Sequence, residues 1–269
     1  RALGPDYEYR ISAPIEPGRP AADVGALLAE ARVAGFTAMN ITHPCKQIVL
    51  DLVDELDTDA ANLRAVNLVV FDGDRLVGYN TDWMGFRDGL VVGLPGASLD
   101  RVVQLGCGGA GAATAYALLS LGARSLQLSD VDPARASDLA ARMGGLFPEQ
   151  DVSTLSPGEL AEGIALATGI VHATPLGMLH HPGIAFDLDL LRAGTWVSDV
   201  VYRPLETELT WQAAQRGHPV LHGGLMAVGQ AWASLQIITG LEPDRERMQR
   251  HFRLLISAEG QAGAGEGGL

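Results

Sequence analysis

The stretch Gly106-Cys107-Gly108-Gly109-Ala110-Gly111 decides the fold. It fits the pattern G-x-G-x-x-G, follows the apolar run Val102 to Leu105 and opens the apolar helical pattern Ala112 to Leu121. This strand–turn–helix context is what the pattern requires. Side chains here would hold the backbone away from a pyrophosphate, and the helix start supplies N–H donors and a positive dipole end. The stretch predicts a dinucleotide-binding turn; the alternative is a tight turn in an α/β sheet that binds no nucleotide.

Outward from this turn, short apolar runs alternate with helical patterns. The predicted helix Pro133 to Met143 starts with proline, which is favoured in the first turn. The further predicted strands are Ser125 to Ser129, Ile170 to Ala173, Trp196 to Val200 and Pro219 to Leu221. Repeated β-α units with short connections predict an α/β fold with a doubly wound parallel sheet of Rossmann type.

Asp130 lies at the end of the second strand of this unit, about 20 residues after the glycine turn, where an acidic residue receives the adenosine ribose hydroxyls. Its carboxylate would repel a 2′-phosphate, and Asp132 adds a second negative charge. The sequence therefore predicts NAD rather than NADP. Arg135 is the nearby cation, which would pair with either aspartate or lie along the adenine. The alternative is that Asp130 caps the helix that starts at Pro133.

The first part of the chain predicts a smaller α/β domain. Val24, Leu27, Leu28 and Ala31 share one face of a helix that Gly35 can end. Further elements are predicted as a strand at Phe36 to Ile41, a helix at Cys45 to Glu55 and a hairpin of Val66 to Phe71 with Arg75 to Tyr79.

Two helices, Met226 to Thr239 and Asp244 to Ile256, are predicted to close the chain and return to the first domain. The predicted organisation is a substrate domain at 1–84, a dinucleotide-binding domain at 85–224, C-terminal helices at 225–257 and a disordered Gly- and Ala-rich tail at 258–269.

Composition excludes several classes of protein. With 19 Lys and Arg against 32 Asp and Glu, the net charge of −13 would repel polyanions, so a nucleic-acid binder is not expected. The sequence offers no membrane span and no metal-ligand spacing. Two cysteines cannot form a disulfide framework, so we expect a cytoplasmic protein.

Two polar clusters at predicted strand ends suggest a catalytic site. Asn40 to Lys46 follows a strand, and Gly78 to Asp82 ends the hairpin. Lys46 and Asp82, from different segments and without metal ligands nearby, indicate acid–base work on an alcohol or carbonyl. A surface salt bridge is the alternative.

These clusters belong to a series of segments that resembles the shikimate dehydrogenase family. In chain order the segments are Asn40 to Lys46 (N-[VI]-T-x-P-x-K), Ala65 to Asn67 (A-V-N), Gly78 to Asp82 (G-x-N-T-D), Ala173 to Met178 (A-T-x-x-G-M), Asp199 to Thr207 (D-x-x-Y-x-P-x-x-T) and Met226 to Ala231 (M-x-x-x-Q-A). Within the family the resemblance is greatest to the NAD-dependent quinate/shikimate dehydrogenases, since the NADP enzymes typically carry Asn-Arg-Thr where this chain has Ser129-Asp130-Val131.

The resemblance implies reversible oxidation of quinate or shikimate at the C3 hydroxyl, with Lys46 and Asp82 as the catalytic pair. It implies four substrate-binding residues: Thr42, Asn67, Tyr202 and Gln230. It also implies that Ala173, Thr174, Val200 and Gly223 line the cofactor. The alternatives are a turn cap for Thr42, a strand-end cap for Asn67, and plain packing for Tyr202 and Gln230.

Several positions depart from the family pattern. Arg64 stands where Gly is usual, Leu68 where Thr is usual, His172 where Asn is usual and Leu225 where the biosynthetic branch has Gly. The family's first strand and its S-x-[ST] carboxylate site also have no counterpart, and we expect that roughly 25 to 30 residues precede Arg1 in a complete chain.

Three rivals to an NAD-linked quinate/shikimate dehydrogenase remain open. One is the NADP-linked biosynthetic enzyme, which Asp130 opposes. A second is a dehydrogenase of an amino analogue, which Arg64, Leu68 and Leu225 keep possible. The third, from another class, is a catalytically silent dinucleotide-binding module, which the presence of both Lys46 and Asp82 opposes. The sequence does not determine the oligomeric state.

Overall fold

The computed structural model describes residues 21–42 and 44–265, and it divides into two compact units. Among these residues, unit 1 contains those up to Thr81 together with 231–244, and unit 2 contains 82–230 together with 245–265. The segment that precedes residue 21, and His43 within the family-like cluster, lie outside the described residues.

Unit 1 is built on a four-stranded mixed sheet. Its strands are β1 (Ala38–Asn40), β2 (Glu55–Leu56), β3 (Leu68–Asp72) and β4 (Arg75–Tyr79), in the order β1-β3-β4-β2. β3 and β4 form the predicted antiparallel hairpin, in which Gly73 takes a positive φ of 61° in the tight turn. The helix α1 (Val24–Val33) buries the predicted face of Val24, Leu27, Leu28 and Ala31.

The predicted helix Cys45 to Glu55 is wrong. The structure has a turn, a short 3₁₀ helix at Ile48–Leu52 and then strand β2. Asp54 explains the change, because its N–H donates to the Leu76 carbonyl at 2.9 Å and its carboxylate accepts from the Leu76 N–H at 2.7 Å. Pairing with the hairpin therefore pulls this segment out of a helix. A short helix, α2 (Thr58–Leu63), follows it.

Unit 2 is built on a six-stranded parallel sheet. Its strands are β5 (Val102–Leu105), β6 (Ser125–Ser129), β7 (Asp151–Thr154), β8 (Gly169–His172), β9 (Trp196–Asp199) and β10 (Val220–Leu221). The order is β10-β9-β8-β5-β6-β7, so the chain reverses direction across the sheet between β5 and β8. A ligand crevice forms at such a switch point, outside the carboxyl ends of the strands. The predicted fold class is confirmed, although β7 was not predicted.

Seven α-helices follow Thr81 among the described residues. They are α3 (Asp82–Gly93), α4 (Gly109–Ser120), α5 (Pro133–Leu146), α6 (Leu160–Leu166), α7 (Glu208–Gln215), α8 (Gly224–Thr239) and α9 (Arg245–Gly265). α4 begins inside the glycine turn and is buried along almost its whole length. None of the helices in residues 21–42 and 44–265 is long and apolar enough to span a bilayer.

The unit boundaries differ from the predicted limits at 84 and 224. The first falls at Asp82 because α3 starts there, and its Trp83 packs edge-on against Tyr116 of α4 at 5.2 Å. The second falls within α8, whose residues from Ala231 onward group with unit 1. α9 groups with unit 2 and extends to Gly265, so it includes part of the segment predicted to be disordered.

Helices α3 and α8 pack with their backbones in close contact. A Cβ at Gly85 would overlap the Met226 carbonyl oxygen and would lie 2.6 Å from the Gln230 nitrogen. Gly229 faces it, since a Cβ there would lie 2.8 Å from the Gly85 Cα. Glycine at both positions lets the start of α8 lie directly on α3.

Asp88 of α3 connects to the start of α9. Its carboxylate accepts hydrogen bonds from Arg245 at 2.7 Å and from Arg87 at 2.8 Å. Burial raises the pKa of Asp88, but the hydrogen bonds from the two arginines outweigh it, so the pKa lies below its ordinary value. The ionised carboxylate is thus more favourable in the folded chain than in the unfolded one.

We expect Asp88→Asn to lower the free energy of unfolding at pH 7 by on the order of 1 kcal/mol, because the partly solvated ion pairs are lost. A depressed carboxyl pKa stabilises the fold above the unfolded pKa of about 3.9, and this contribution is lost as the pH falls through the lower folded pKa. The difference between wild type and variant should therefore shrink between pH 5 and pH 3 (roughly) in urea unfolding.

The matched control is Asp100→Asn, because that carboxylate is exposed and lies 3.9 Å from Arg124. This variant should change stability little at any pH. A difference between wild type and Asp88→Asn that stays constant with pH would contradict the role given to the Asp88 charge.

Candidate functional site

The glycine turn lies against the segment that follows β8. Gly106 has φ +99°, and a Cβ there would lie 2.5 Å from the Ala173 carbonyl oxygen and 2.9 Å from Cγ2 of Thr174. A Cβ at Gly111 would overlap the Gly106 carbonyl oxygen, whereas Gly108 and Gly109 have nothing within 4 Å of the Cβ position. The turn is therefore tightly packed on one side and open at its middle, which is the shape that a pyrophosphate requires.

Gln104 holds the turn from beneath. Its side chain is fully buried in β5, and its Nε2 donates to the carbonyl oxygens of Gly106 at 3.0 Å and Gly111 at 2.8 Å. Its Oε1 accepts from the Thr114 hydroxyl at 2.8 Å. Sequence reasoning missed this residue, although a polar side chain within the apolar run Val102 to Leu105 was the available signal.

Asp130 is bonded to the same turn. Its Oδ2 accepts from the Cys107 N–H at 2.7 Å, and its Oδ1 accepts from the Asp132 N–H at 2.9 Å. The helix α5 is capped by Asp132, whose carboxylate accepts from the Ala134 N–H, so the capping alternative for Asp130 is wrong. Of the two aspartates, Arg135 pairs with Asp132, at 3.5 Å.

Cys107 contributes its backbone rather than its thiol. Burial, with a smaller contribution from the Asp130 charge, raises the pKa of the Cys107 thiol to about 12. The thiol therefore stays protonated near neutral pH and is a poor nucleophile. A buried, protonated thiol at this position is compatible with a dinucleotide site.

A chain of buried polar side chains connects the ends of β8 and β9. His172 Nδ1 lies 3.1 Å from Asp199 Oδ1, and His172 Nε2 lies 2.6 Å from the Thr174 hydroxyl. The Thr207 hydroxyl, at the N-cap of α7, donates to Asp199 Oδ2 at 2.7 Å. The first and last residues of the D-x-x-Y-x-P-x-x-T segment are thus hydrogen-bonded to each other.

The other predicted cofactor residues form a second contact at the same edge of the sheet. A Cβ at Gly223 would overlap the Val200 carbonyl oxygen, so these two backbones touch. Gly223 follows β10 and Val200 follows β9, both at strand carboxyl ends. In unit 2 the structure thus brings Ala173 and Thr174 to Gly106, and Val200 to Gly223.

In unit 1, Ile41 and Lys46 are hydrogen-bonded to the Ala65-Val66-Asn67 segment. The Ile41 N–H donates to the Asn67 carbonyl at 2.8 Å, and the Val66 N–H donates to the Lys46 carbonyl at 2.9 Å. Thr42 is exposed and Lys46 is half-buried. The two family-like segments therefore lie side by side in unit 1.

Asn67 is held by the end of the hairpin. Its Oδ1 accepts from the Thr81 N–H at 2.7 Å, and its Nδ2 donates to the Thr81 hydroxyl at 3.0 Å. The Thr81 hydroxyl also lies 2.9 Å from the Ser234 hydroxyl of α8. All three side chains are buried, so the network fixes the position of Thr81 at the end of the hairpin.

The remaining predicted site residues lie in unit 2. Asp82 is the first residue of α3 and is buried, and Gln230 lies on α8 where that helix packs against Gly85, one turn further along α3. Tyr202 is 41% exposed and its ring centroid lies 6.2 Å from that of Phe252 on α9. Within the described ranges, no group of three His, Cys, Asp or Glu side chains is placed to hold a metal ion.

Two of the four departures from the family pattern are explained by packing. At a third, Arg64 ends α2 in the left-handed region with φ 51°, a conformation that favours glycine, so the backbone accounts for the usual glycine and the arginine has no structural explanation. Leu68 is fully buried in β3. Leu225 packs on α3, where its side chain lies against Gly89 and Gly93.

Comparison with known proteins finds similarity to shikimate and quinate/shikimate dehydrogenases. Residues 2–69 match the model of the shikimate dehydrogenase substrate binding domain. A shikimate dehydrogenase (NADP(+)) of Arthrobacter sp. (strain FB24) is 51% identical over 94% of this chain and 86% of its own. A quinate/shikimate dehydrogenase (NAD(+)) of Corynebacterium efficiens is 48% identical over 84% and 80%.

Among solved structures, quinate dehydrogenase from Corynebacterium glutamicum in complex with NAD superposes with a TM-score of 0.81. That structure is 45% identical to this chain and covers 86% of it, and the match spans 82% of the solved chain. The 51% identity over 94% of this chain, together with the shared fold, shows that this chain belongs to the shikimate dehydrogenase family, as an oxidoreductase.

Proposed function

We propose that the chain is an NAD-dependent dehydrogenase that oxidises quinate or shikimate, reversibly, at the C3 hydroxyl. The observation that carries the cofactor choice is the Asp130 carboxylate, which is hydrogen-bonded to the glycine turn at the end of β6. The activity for which the Corynebacterium efficiens relative is named, quinate/shikimate dehydrogenase with NAD(+), supports the same choice. The relatives of both cofactor types support the substrate class.

The residues around the switch point fit a dinucleotide. Gly108 and Gly109 leave the middle of the turn open, and the N-terminus of α4 begins there, so a pyrophosphate would receive N–H donors. Asp130 would receive the adenosine ribose hydroxyls, and Thr174, Val200 and Gly223 would line the other half of the cofactor. A bound nicotinamide dinucleotide supplies the acceptor for the hydride that leaves C3.

Lys46 is the proposed acid–base residue. It is the single lysine among the 19 Lys and Arg residues of the chain. Arginine stays protonated in proteins, whereas a lysine amine can release and accept a proton. A chain that uses arginine for every other cation and retains lysine here points to proton transfer. Lys46 would take the proton of the C3 hydroxyl during oxidation and return it during reduction.

The other site residues would bind and orient the substrate. Asp82, a buried carboxylate, would hold the Lys46 ammonium and the reacting hydroxyl. Thr42, Asn67, Tyr202 and Gln230 would contact ring hydroxyls or the substrate carboxylate. Asn67 is already oriented by Thr81, and a preorganised amide loses little freedom when a ligand binds.

Cofactor choice follows from the fixed charge of Asp130. Two like charges about 4 Å apart repel by about 4 kcal/mol at an effective dielectric constant near 20. If solvent removes half of this, about 2 kcal/mol remains, which is roughly a thirtyfold preference. Turning Asp130 away from a 2′-phosphate would break its hydrogen bonds to the Cys107 and Asp132 N–H groups, so the charge cannot be moved without cost.

The second candidate is an NADP-linked shikimate dehydrogenase. The activity for which the 51% identical Arthrobacter relative is named favours it, and Arg135 would offset part of the repulsion by reaching the 2′-phosphate. An amino-analogue dehydrogenase has less support, because two of the three departures that favour it, Leu68 and Leu225, are explained by packing.

The wild type should prefer NAD over NADP in kcat/KM by at least tenfold (roughly), measured by absorbance at 340 nm with quinate and with shikimate. Asp130→Asn removes the charge and keeps a side-chain oxygen for the Cys107 N–H. It should reduce the preference, mainly by lowering the KM for NADP, because the change lies at the adenosine end.

Asp138→Asn is the matched control for Asp130→Asn. It removes an exposed carboxylate from α5, outside the glycine turn, so the preference should change much less. Equal efficiency of the wild type with both cofactors would reject the role given to Asp130 and would favour the NADP-linked candidate.

Lys46→Ala should lower turnover by roughly 10²- to 10⁴-fold, which is the usual contribution of positioned acid–base catalysis. Lys46→Arg keeps the positive charge but cannot give up its proton, so its turnover should fall nearly as far. The affinity for NADH, measured by fluorescence, should stay close to that of wild type in both variants.

The control for these variants is Gln47→Ala at the exposed neighbouring position, which should leave turnover near normal. Near-normal turnover of Lys46→Arg would show that charge alone is sufficient and would remove Lys46 as the proton acceptor.

A further inference from the structure

The His172–Asp199 pair lies at the switch point of the unit 2 sheet. His172 ends β8 and Asp199 ends β9, and the two residues are register partners in the parallel pairing. His172 is also the register partner of Leu105, the residue before the glycine turn. Both side chains are about 1% exposed. Thr174, two residues beyond β8, packs its methyl group against Gly106 and is the partly exposed end of this hydrogen-bonded chain.

The hydrogen-bond partners of Asp199 determine where the imidazole proton lies. Asp199 Oδ1 accepts from the Val201 N–H at 3.0 Å and Oδ2 accepts from the Thr207 hydroxyl at 2.7 Å. Oδ1 also faces His172 Nδ1, and an ionised carboxylate is an acceptor only. His172 Nδ1 must therefore carry the proton. On a ring with one proton, Nε2 is then an acceptor.

The orientation of the Thr174 hydroxyl follows from this tautomer. Its proton points to His172 Nε2 at 2.6 Å, and one of its lone pairs accepts from the Leu176 N–H at 3.2 Å. A hydroxyl has one proton and two lone pairs. The Thr174 hydroxyl can therefore accept a hydrogen bond from a ligand but cannot donate one. Such an acceptor would bind a ribose hydroxyl or a carboxamide N–H rather than a phosphate oxygen.

We propose that His172 is a positioning residue which, held by Asp199, orients the Thr174 hydroxyl as an acceptor for the bound dinucleotide. The inference rests on the proposed function, because it takes Thr174 to line the cofactor. It extends that function to a buried pair which does not itself touch the ligand. The pair would also make cofactor binding sensitive to changes at the end of β9.

Two variants separate the contacts of the imidazole. The amide of His172→Asn occupies the Nδ1 region, so it keeps a donor for Asp199 and loses the bond to Thr174. The amide of His172→Gln reaches the Nε2 region, so it offers Thr174 an acceptor and leaves Asp199 without its imidazole donor. If His172 had a purely structural role, its substitution would lower the stability of the protein and its affinity for the cofactor together. If His172 positions Thr174, the two variants should affect stability and affinity differently.

The readouts are the Kd for NADH, from energy transfer between the tryptophans and the dihydronicotinamide, and the thermal unfolding temperature. His172→Asn should raise the Kd by roughly three- to tenfold, the loss of about one hydrogen bond, with a small change in unfolding temperature. His172→Gln should bind NADH more tightly than His172→Asn but unfold at a lower temperature, because a buried carboxylate loses a donor.

A double-mutant cycle with Thr174→Val completes the test. If His172 acts through Thr174, then His172→Asn should weaken binding little further in the Thr174→Val background. Additive effects, or an unchanged Kd for His172→Asn, would overturn the positioning role while the proposed function stands. A wild type that binds neither NADH nor NADPH would overturn both.

Discussion

The close approach of the Gly106 backbone to Ala173 and Thr174 is the constraint on which the rest of unit 2 depends. The two segments leave the sheet at the ends of β5 and β8, the neighbouring strands between which the chain order reverses. A side chain at Gly106 would push these strand ends apart, and one at Gly111 would overlap the Gly106 carbonyl oxygen. Because glycine is present at both positions, helix α4 can begin within the turn and direct its N–H groups toward a ligand.

Buried and half-buried polar side chains maintain this geometry from beneath and from each side. Gln104 bonds two carbonyls of the turn, Asp130 bonds the N–H of Cys107, and His172 connects Thr174 to the next strand. Each of these groups would be costly to bury without a partner, so the strand ends are held at specific positions rather than by apolar packing alone. The same hydrogen bonds that stabilise the turn therefore also orient the groups proposed to face the cofactor.

Much of this arrangement followed from local sequence signals. The glycine turn, the strands around it and the β3–β4 hairpin were predicted, because each depends on residues close in sequence. The helix predicted at Cys45 to Glu55 failed because Asp54 bonds Leu76, which is distant in sequence. The contact between His172 and Asp199 likewise depends on which strands are neighbours, and composition does not reveal that. The place of Asp130 at the end of a strand could be predicted from the sequence, but its bonds to the turn required the fold.

Cofactor choice shows why overall identity and a single residue can point in different directions. Identity of 51% to an NADP-linked relative and 48% to an NAD-linked one averages over sheets and helices that both activities share. The 2′-phosphate differs from a hydroxyl at one position of the ligand, and tenfold discrimination there needs about 1.4 kcal/mol. One carboxylate held by two backbone N–H groups would be sufficient for that. Our proposal of NAD therefore gives the local charge at Asp130 more weight than a difference of a few per cent in identity, because that charge would act on the atoms that distinguish the two cofactors.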